Sequence, residues 1–101
     1  MKLEGKSIVV TGASAGMGQA IVTLFAQEGA NIIAVARRRE RLEALAEELK
    51  DAPGKVVPYA GDVSDPAVCE GMIDAAVKEF GRLDVLVNNA GIMDDNTAIG
   101  D

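Results

Sequence analysis

A glycine-rich stretch near the amino terminus has the composition of a phosphate-binding turn. It reads Thr-Gly-Ala-Ser-Ala-Gly-Met-Gly from Thr11 to Gly18 and stands between the run Ser7-Ile8-Val9-Val10 and a helical pattern. Glycines at such a turn allow backbone angles closed to other residues and let a ligand approach the main chain. The following helix offers unpaired N–H groups and the positive end of its dipole. A pyrophosphate suits this turn, and its candidate contacts are Gly12, Ser14, Ala15, Gly16, Met17 and Gly18.

Four strand patterns and three helix patterns alternate along the chain and would position this turn. We predict strands at residues 7–11, 31–36, 55–60 and 83–88, and a second helix over residues 39–50. The first helix stops at Gly29, and the third follows a cap at Ser64 or Asp65 and ends before Gly81. The apolar residues at helical spacing are Met17, Ala20, Ile21, Leu24 and Phe25, then Leu42, Leu45, Ala46 and Leu49, then Val68, Met72, Ile73, Ala76 and Phe80. This alternation is typical of a parallel sheet with helices on its faces, and so predicts the α/β class.

Three motifs in this order resemble the short-chain dehydrogenase/reductase family. The glycines follow the spacing Gly-x-x-x-Gly-x-Gly after a threonine, Asp62-Val63 follows the third strand, and Asn88-Asn89-Ala90-Gly91 follows the fourth. The resemblance covers essentially the whole chain. It implies a Rossmann-type doubly wound parallel sheet that is incomplete here, with four strands in the order 3-2-1-4 and three helices. Residues 1–101 would then form a dinucleotide-binding half-domain without the catalytic half.

The resemblance also implies contacts to a nicotinamide dinucleotide. Asp62 and Val63 would meet the adenine, because ligands bind at the carboxyl ends of parallel strands; the alternative for Asp62 is a helix cap. In the last motif, Asn88 would contact the cofactor and Asn89 would have a mainly structural role. The small residues of that motif, which would let the backbone approach the cofactor ribose, are Ala90 and Gly91.

The end of the second strand favours NADP(H) over NAD(H). Sites for NAD place a carboxylate about twenty residues past the glycines, where this chain has Ala36 followed by Arg37 and Arg38. Guanidinium groups offer a 2′-phosphate charge-assisted hydrogen bonds. The alternative, that these arginines only solvate a helix start, is less suitable because cations there oppose the helix dipole. Ser14 is either a further phosphate ligand or only a turn residue.

No candidate catalytic residue is found in this sequence. The family's catalytic asparagine, serine and tyrosine–lysine pair lie beyond the Asn-Asn-Ala-Gly motif. The single tyrosine, Tyr59, precedes Asp62 and has Val63 four positions later instead of lysine, so we predict a packing residue. The resemblance implies a complete enzyme that transfers hydride between NADP(H) and a small carbonyl or alcohol substrate. The 101 residues alone are predicted to be inactive.

Composition limits the partners that this chain can have. The net charge of −6 disfavours nucleic acid and anionic membranes. Cys69 is the only cysteine and there is no histidine, so neither an internal disulfide nor an ordinary zinc site is expected. No apolar run reaches the roughly 18 residues of a membrane span, and no secretory signal is recognisable, which predicts a cytoplasmic protein.

The sequence leaves two alternative functions open, and it also predicts self-association. The chain could be a non-catalytic nucleotide-binding module or sensor that ends near Asp101, or part of an enzyme for another nucleotide-like ligand. A P-loop is excluded because Gly-Lys-Ser/Thr is missing. The fourth strand would lie at an open, apolar edge of the sheet, which predicts a homo-oligomer.

Overall fold

The computed structural model describes residues 3–14 and 16–89, which form one four-stranded sheet with three helices. The strands are β1 (Ser7–Thr11), β2 (Asn31–Ala36), β3 (Val56–Ala60) and β4 (Val85–Asn88). The helices are α1 (Gly16–Gln27), α2 (Arg39–Glu48) and α3 (Pro66–Phe80). All strand pairs are parallel and the order is β3-β2-β1-β4. The predicted fold class and strand order are confirmed.

The sheet separates two apolar layers. Ile8 and Val10 of β1 share one layer with Ile32 of β2 and with buried residues of α1 and α2. Val9 and Ile33 point to the other face, into the layer formed with α3. The general preference for right-handed crossovers accounts for this arrangement, because the strand order moves one way across the sheet through α1 and α2 and returns through α3. Helices on both faces explain why β1 and β2 are apolar in near-continuous runs.

Helix α1 follows the predicted apolar stripe only in part, because Ile21 and Phe25 pack against the core but the fully buried positions lie beside them. Its buried residues are Gly18, Val22 and Ala26, whereas Met17 and Leu24 are exposed. The helix is apolar around most of its circumference, so spacing alone does not identify the buried face. The small residue at position 18 decides it, because it lets α1 approach the turn after β1.

Helix α3 begins and ends at the predicted signals. Asp65 is the N-cap, and its carboxylate accepts a hydrogen bond from the Ala67 N–H at 2.9 Å, with Pro66 following in the first turn. Gly81 ends the helix with a φ of +82°. Of Ser64 and Asp65, Asp65 is therefore the residue that caps α3.

One of the apolar residues at helical spacing on α3, Ile73, is not buried against the sheet. Met72 and Ala76 are buried, but Ile73 is 37% exposed. Gly71 lies against Tyr59 of β3, and position 73 is about 200° further round the helix, on the side away from that contact. No described element covers α3 on that side.

Three predicted boundaries shift by one or two residues. Strand β3 begins one residue later than expected, and α2 ends two residues earlier because the chain tightens into i→i+3 turns after Glu48. Strand β4 begins at Val85 instead of Leu83, since Asp84 bonds to Ser7 through its side chain as well as its backbone. Leu83 therefore packs toward α3, while Val87 packs toward α1. Alternation along the predicted strand over residues 83–88 would place Leu83 and Val87 on one face of the sheet, which the structure contradicts.

Strand β4 forms an edge of the described sheet. Val85 and Leu86 are 44% and 46% exposed, as expected for a strand with one neighbour. Among residues 3–14 and 16–89, no helix combines the length and apolarity needed to cross a membrane.

Candidate functional site

The carboxyl ends of the four strands bring the predicted site residues to one edge of the sheet. Gly12 follows β1, Arg37 follows β2, Asp62 comes two residues after β3, and Asn88 ends β4. Backbone bonds tie these ends together: the Ala13 N–H donates to the Val35 carbonyl at 3.0 Å, and the Gly61 N–H donates to the Ala36 carbonyl at 2.9 Å. Open parallel sheets bind ligands at this edge.

Two of the turn glycines are required by the backbone itself. Gly12 has a φ of +66°, which side chains rarely adopt. A Cβ on Gly18 would overlap the carbonyl of Gly12 and contact Ala13, so only glycine lets α1 start this close to β1. A Cβ on Gly16, in contrast, would have no atom within 4 Å. Gly16 therefore borders open space where a ligand can approach.

The first turn of α1 is suited to an anion. Its sequence, Gly-Met-Gly-Gln, has no acidic residue to compete for the positive end of the helix dipole. Gln19 of this turn donates a hydrogen bond back to the Ser14 carbonyl at 3.3 Å. Met17 is exposed at the same end. These features fit the charge of a pyrophosphate at the helix N-terminus.

The start of α2 carries positive charge without a side-chain cap. Arg38 is the N-cap residue with extended backbone, and its side chain makes no capping hydrogen bond. Arg37 and Arg38 are both exposed. The nearby Arg39 lies 3.8 Å from Glu43, and both side chains are more than half exposed. An acidic chain thus presents a local cationic patch at the carboxyl end of β2.

Asp62 closes a turn instead of capping α3. Its Oδ1 accepts hydrogen bonds from the Ser64 N–H at 2.9 Å and the Ser64 hydroxyl at 2.8 Å. The Ser64 bonds hold the pKa of Asp62 below its ordinary value, and the Arg37 guanidinium lowers that pKa a little further. Since Asp65 caps the helix, the alternative role of Asp62 as the α3 cap is wrong. Asp62 is exposed, as contact with a ligand requires.

Val63, the residue after Asp62, is partly buried and contacts α3. Its side chain packs against the α3 layer, and its carbonyl accepts a hydrogen bond from the Cys69 thiol at 3.2 Å. Cys69 is half-buried on α3 and forms no disulfide. Tyr59 packs into the same layer, which confirms its prediction as a packing residue.

Polar side chains join β1 to β4 beside the glycine turn. The Thr11 hydroxyl donates to Asn88 Oδ1 at 3.0 Å, and the Val87 carbonyl oxygen lies 3.4 Å from the same hydroxyl. Asn89 is 1% exposed, and its Nδ2 donates to the Gly12 carbonyl at 3.5 Å. Sequence reasoning named Thr11 only as part of the motif. Its position directly before Gly12 at a strand end is the signal for this bridging role.

Three predicted site residues lie outside the described ranges, namely Ala15, Ala90 and Gly91. Their contacts to a cofactor stay predictions. The other predicted residues of the turn and of the β2, β3 and β4 ends converge on one edge. Within the part of the chain that the structure describes, no group of three or more acidic, cysteine or histidine side chains is placed to hold a metal ion.

A doubly wound parallel sheet with a glycine-rich turn before its first helix defines the class of nucleotide-binding α/β proteins. The family model described as short chain dehydrogenase matches residues 6–100, so this chain belongs to the short-chain dehydrogenase family. Members of this family are oxidoreductases that bind nicotinamide dinucleotide cofactors.

The chain is similar in sequence to reductases and dehydrogenases of this family. The chain is 47% identical over 95 residues to 3-oxoacyl-[acyl-carrier-protein] reductase FabG of Thermotoga maritima, covering 94% of this chain and 39% of that protein. It is 43% identical over 93 residues to 3beta-hydroxysteroid dehydrogenase 2 of Eggerthella lenta, covering 92% and 36%. The chain thus spans less than two fifths of the length of these relatives.

Solved structures share the fold at similar coverage. Glucose dehydrogenase of Caenorhabditis elegans in the apo-form is 34% identical, with a TM-score of 0.82 over 88% of this chain and 39% of that one. A short chain dehydrogenase from Bacillus anthracis is 36% identical, with a TM-score of 0.80 over 87% and 35%.

Proposed function

We propose that this chain binds NADP(H) at the carboxyl edge of its sheet, as the cofactor-binding part of a short-chain oxidoreductase that interconverts a carbonyl and an alcohol. The observation that carries the proposal is the contact between Gly18 and Gly12, which places the N-terminus of α1 directly at the end of β1. The arginines at the start of α2 lie after β2, the neighbouring strand.

The residues at this edge fit the parts of a dinucleotide. The N–H groups of the turn and of the α1 start would hold the pyrophosphate, and Gly16 leaves room for it. Asp62 and Val63 would hold the adenine, since an exposed carboxylate can accept from the exocyclic amine. Asn88, with Ala90 and Gly91, would border a ribose. The bound cofactor would supply or accept the hydride.

The preference for NADP(H) follows from the charges at the end of β2. Among the described residues, Arg37 and Arg38 form no ion pair, whereas Arg39 lies near Glu43. Their guanidinium groups are therefore available to a 2′-phosphate, to which they would donate paired hydrogen bonds. NAD(H) lacks this phosphate, and the chain has no carboxylate at position 36 to bind its ribose.

A double substitution tests this preference. We expect Arg37→Ala with Arg38→Ala to weaken NADPH binding at least tenfold, since each charge-assisted hydrogen bond contributes about 1.5–3 kcal/mol. NADH binding should change little, and isothermal titration calorimetry of both cofactors measures the difference. Arg39→Ala with Arg41→Ala is the matched control, because it removes the same charge from the same helix start. Equal weakening of NADPH by both doubles would contradict the assignment.

We propose that the chemical step requires residues other than these 101. The sequence has no tyrosine followed four positions later by lysine, and Tyr59 packs against α3. We therefore propose that the 101 residues bind the cofactor without turning it over, and that the carbonyl or alcohol substrate is held by other residues of a complete enzyme.

Self-association is proposed on separate grounds. The exposed apolar residues of β4 lie at a sheet edge, where strands pair readily with another chain. The cytoplasmic location stays a prediction.

A further inference from the structure

Two buried side-chain oxygens lack a hydrogen-bond partner in residues 3–14 and 16–89: Ser7 Oγ and Asn89 Oδ1. They lie at opposite ends of the sheet. Ser7 begins β1, and Asn89 directly follows β4. Buried polar atoms are almost always hydrogen-bonded, so each exception requires a physical explanation. Only Asn89 is at the edge where the candidate site lies.

Joining the strands does not account for Asn89. That connection is already made by Thr11, whose hydroxyl donates to Asn88 Oδ1 at 3.0 Å. Stability does not account for it either, because a buried acceptor without a donor destabilises the folded chain. An apolar side chain of similar size would avoid this loss.

The Asn89 side chain forms a hydrogen bond with the glycine-rich turn. Its Nδ2 donates to the Gly12 carbonyl at 3.5 Å, and the two residues are 77 positions apart in sequence. Gly18 of α1 contacts the same carbonyl so closely that a Cβ there would overlap it. The Gly12 carbonyl therefore packs against α1 and accepts the hydrogen bond from Asn89.

We propose that Asn89 is a positioning residue for cofactor binding, which acts through Gly12. By fixing the Gly12 carbonyl, it fixes the orientation of the turn whose N–H groups face the pyrophosphate. Asn89 is 1% exposed and acts without touching the ligand. This inference rests on the proposed function, because it assigns a residue to the same site.

Asn89→Leu tests the proposal, with Ser7→Ala as the matched control. Asn89→Leu removes the bond to Gly12 together with the unpaired oxygen, so its effects on stability partly cancel. Ser7→Ala removes the other unpaired oxygen at the far end of the sheet. We expect Asn89→Leu to raise the Kd for NADPH at least tenfold while the urea midpoint stays near that of the wild type. Ser7→Ala should leave the Kd unchanged.

A merely structural role predicts a different result. In that case Asn89→Leu would lower the urea midpoint while the folded fraction binds NADPH as tightly as the wild type, which would overturn the proposal. If Asn89→Leu does not fold, NMR titration of the wild-type chain tests the role of Asn89 instead. Its Asn89 side-chain amide resonances should shift on titration with NADP+, and unchanged resonances at saturation would overturn the proposal.

Cofactor binding by the wild-type chain distinguishes failure of the proposed function from failure of the role of Asn89. A wild-type chain that binds neither NADPH nor NADH would overturn the proposed function and this inference together. A wild-type chain that binds NADPH, combined with an Asn89→Leu variant of equal affinity, would overturn only the role of Asn89.

Discussion

At the scale of single residues, glycines in one turn are needed for two different reasons. Gly12 adopts a positive φ and Gly18 leaves space for the Gly12 carbonyl, so both serve the folded backbone. Gly16 meets nothing within 4 Å and has no unusual φ. Folding alone therefore does not require glycine at position 16, and we propose that the open space beside it receives a ligand.

Alanine substitutions distinguish a glycine needed for folding from a glycine needed for cofactor binding. Gly18→Ala should lower the free energy of unfolding by about 1–3 kcal/mol, because its Cβ would overlap backbone that cannot move aside. Gly16→Ala should leave the free energy of unfolding unchanged or raise it by up to about 1 kcal/mol, since alanine favours the helix. The same substitution should weaken NADPH binding. Urea titration and calorimetry measure the two effects. Gly16→Ala with unchanged NADPH affinity would contradict a pyrophosphate at this turn.

At the scale of elements, a carboxylate defines where β4 begins. Asp84 Oδ2 accepts a hydrogen bond from the Ser7 N–H at 2.8 Å, while the Asp84 N–H donates to the Ser7 carbonyl. Arg82 donates to the other carboxylate oxygen at 2.7 Å. The Ser7 bond, followed by the Arg82 bond, holds the pKa of Asp84 below its ordinary 3.8. The edge strand is thus joined to β1 by a carboxylate whose hydrogen bonds favour its ionised form.

This carboxylate predicts a specific loss of stability in acid. A pKa that is lower in the folded state means that Asp84 stabilises the fold above pH 3.8 and loses this contribution as the pH falls through the folded pKa. Asp84→Asn should therefore lower the urea midpoint at pH 7 and reduce the difference between pH 7 and pH 3. Asp74→Asn, which removes a charge from an exposed position on α3, controls for net charge. An equal pH dependence in wild type and Asp84→Asn would contradict this role.

The elements also show how far sequence reasoning reaches. Asp65, Pro66 and Gly81 act within their own helix, so the bounds of α3 were predictable from local signals. The start of β4 was not, because it depends on a bond between Asp84 and Ser7, which are 77 positions apart.

The same distinction holds at the candidate site. The motifs predicted which strand ends meet, since carboxyl ends of parallel strands share one edge. They did not predict that α1 would pack on its small residues, because this depends on the contact between Gly18 and Gly12. The unpaired oxygen of buried Asn89 was equally unpredictable, since burial is a property of the assembled sheet.

At the scale of the whole molecule, the described sheet is well covered on one side and open on the other. Both helix layers cover β1 and β2, but β4 has a single neighbour and exposes Val85 and Leu86. Ile73 and Val77 of α3 are further exposed apolar residues. A surface of this kind favours association through β4.

Charge placed on the edge should prevent that association. We expect the wild-type chain to self-associate with increasing concentration, and Leu86→Lys to raise the dissociation constant at least tenfold by placing a buried charge in the interface. Leu24→Lys is the control, because Leu24 is similarly exposed on α1. Sedimentation velocity measures both. Equal effects of the two substitutions, or a monomeric wild type at all concentrations, would contradict association through β4.

The central claim is that NADP(H) binds across the carboxyl edge, and titration of the isotope-labelled chain with NADP+ followed by NMR tests it most directly. We predict saturable shifts of backbone amide resonances at Gly12–Gly18, at Arg37 and Arg38, at Asp62 and Val63, and at Asn88 and Asn89, with NAD+ binding more weakly. No saturable shifts at millimolar NADP+, or shifts confined to residues away from this edge, would contradict the claim.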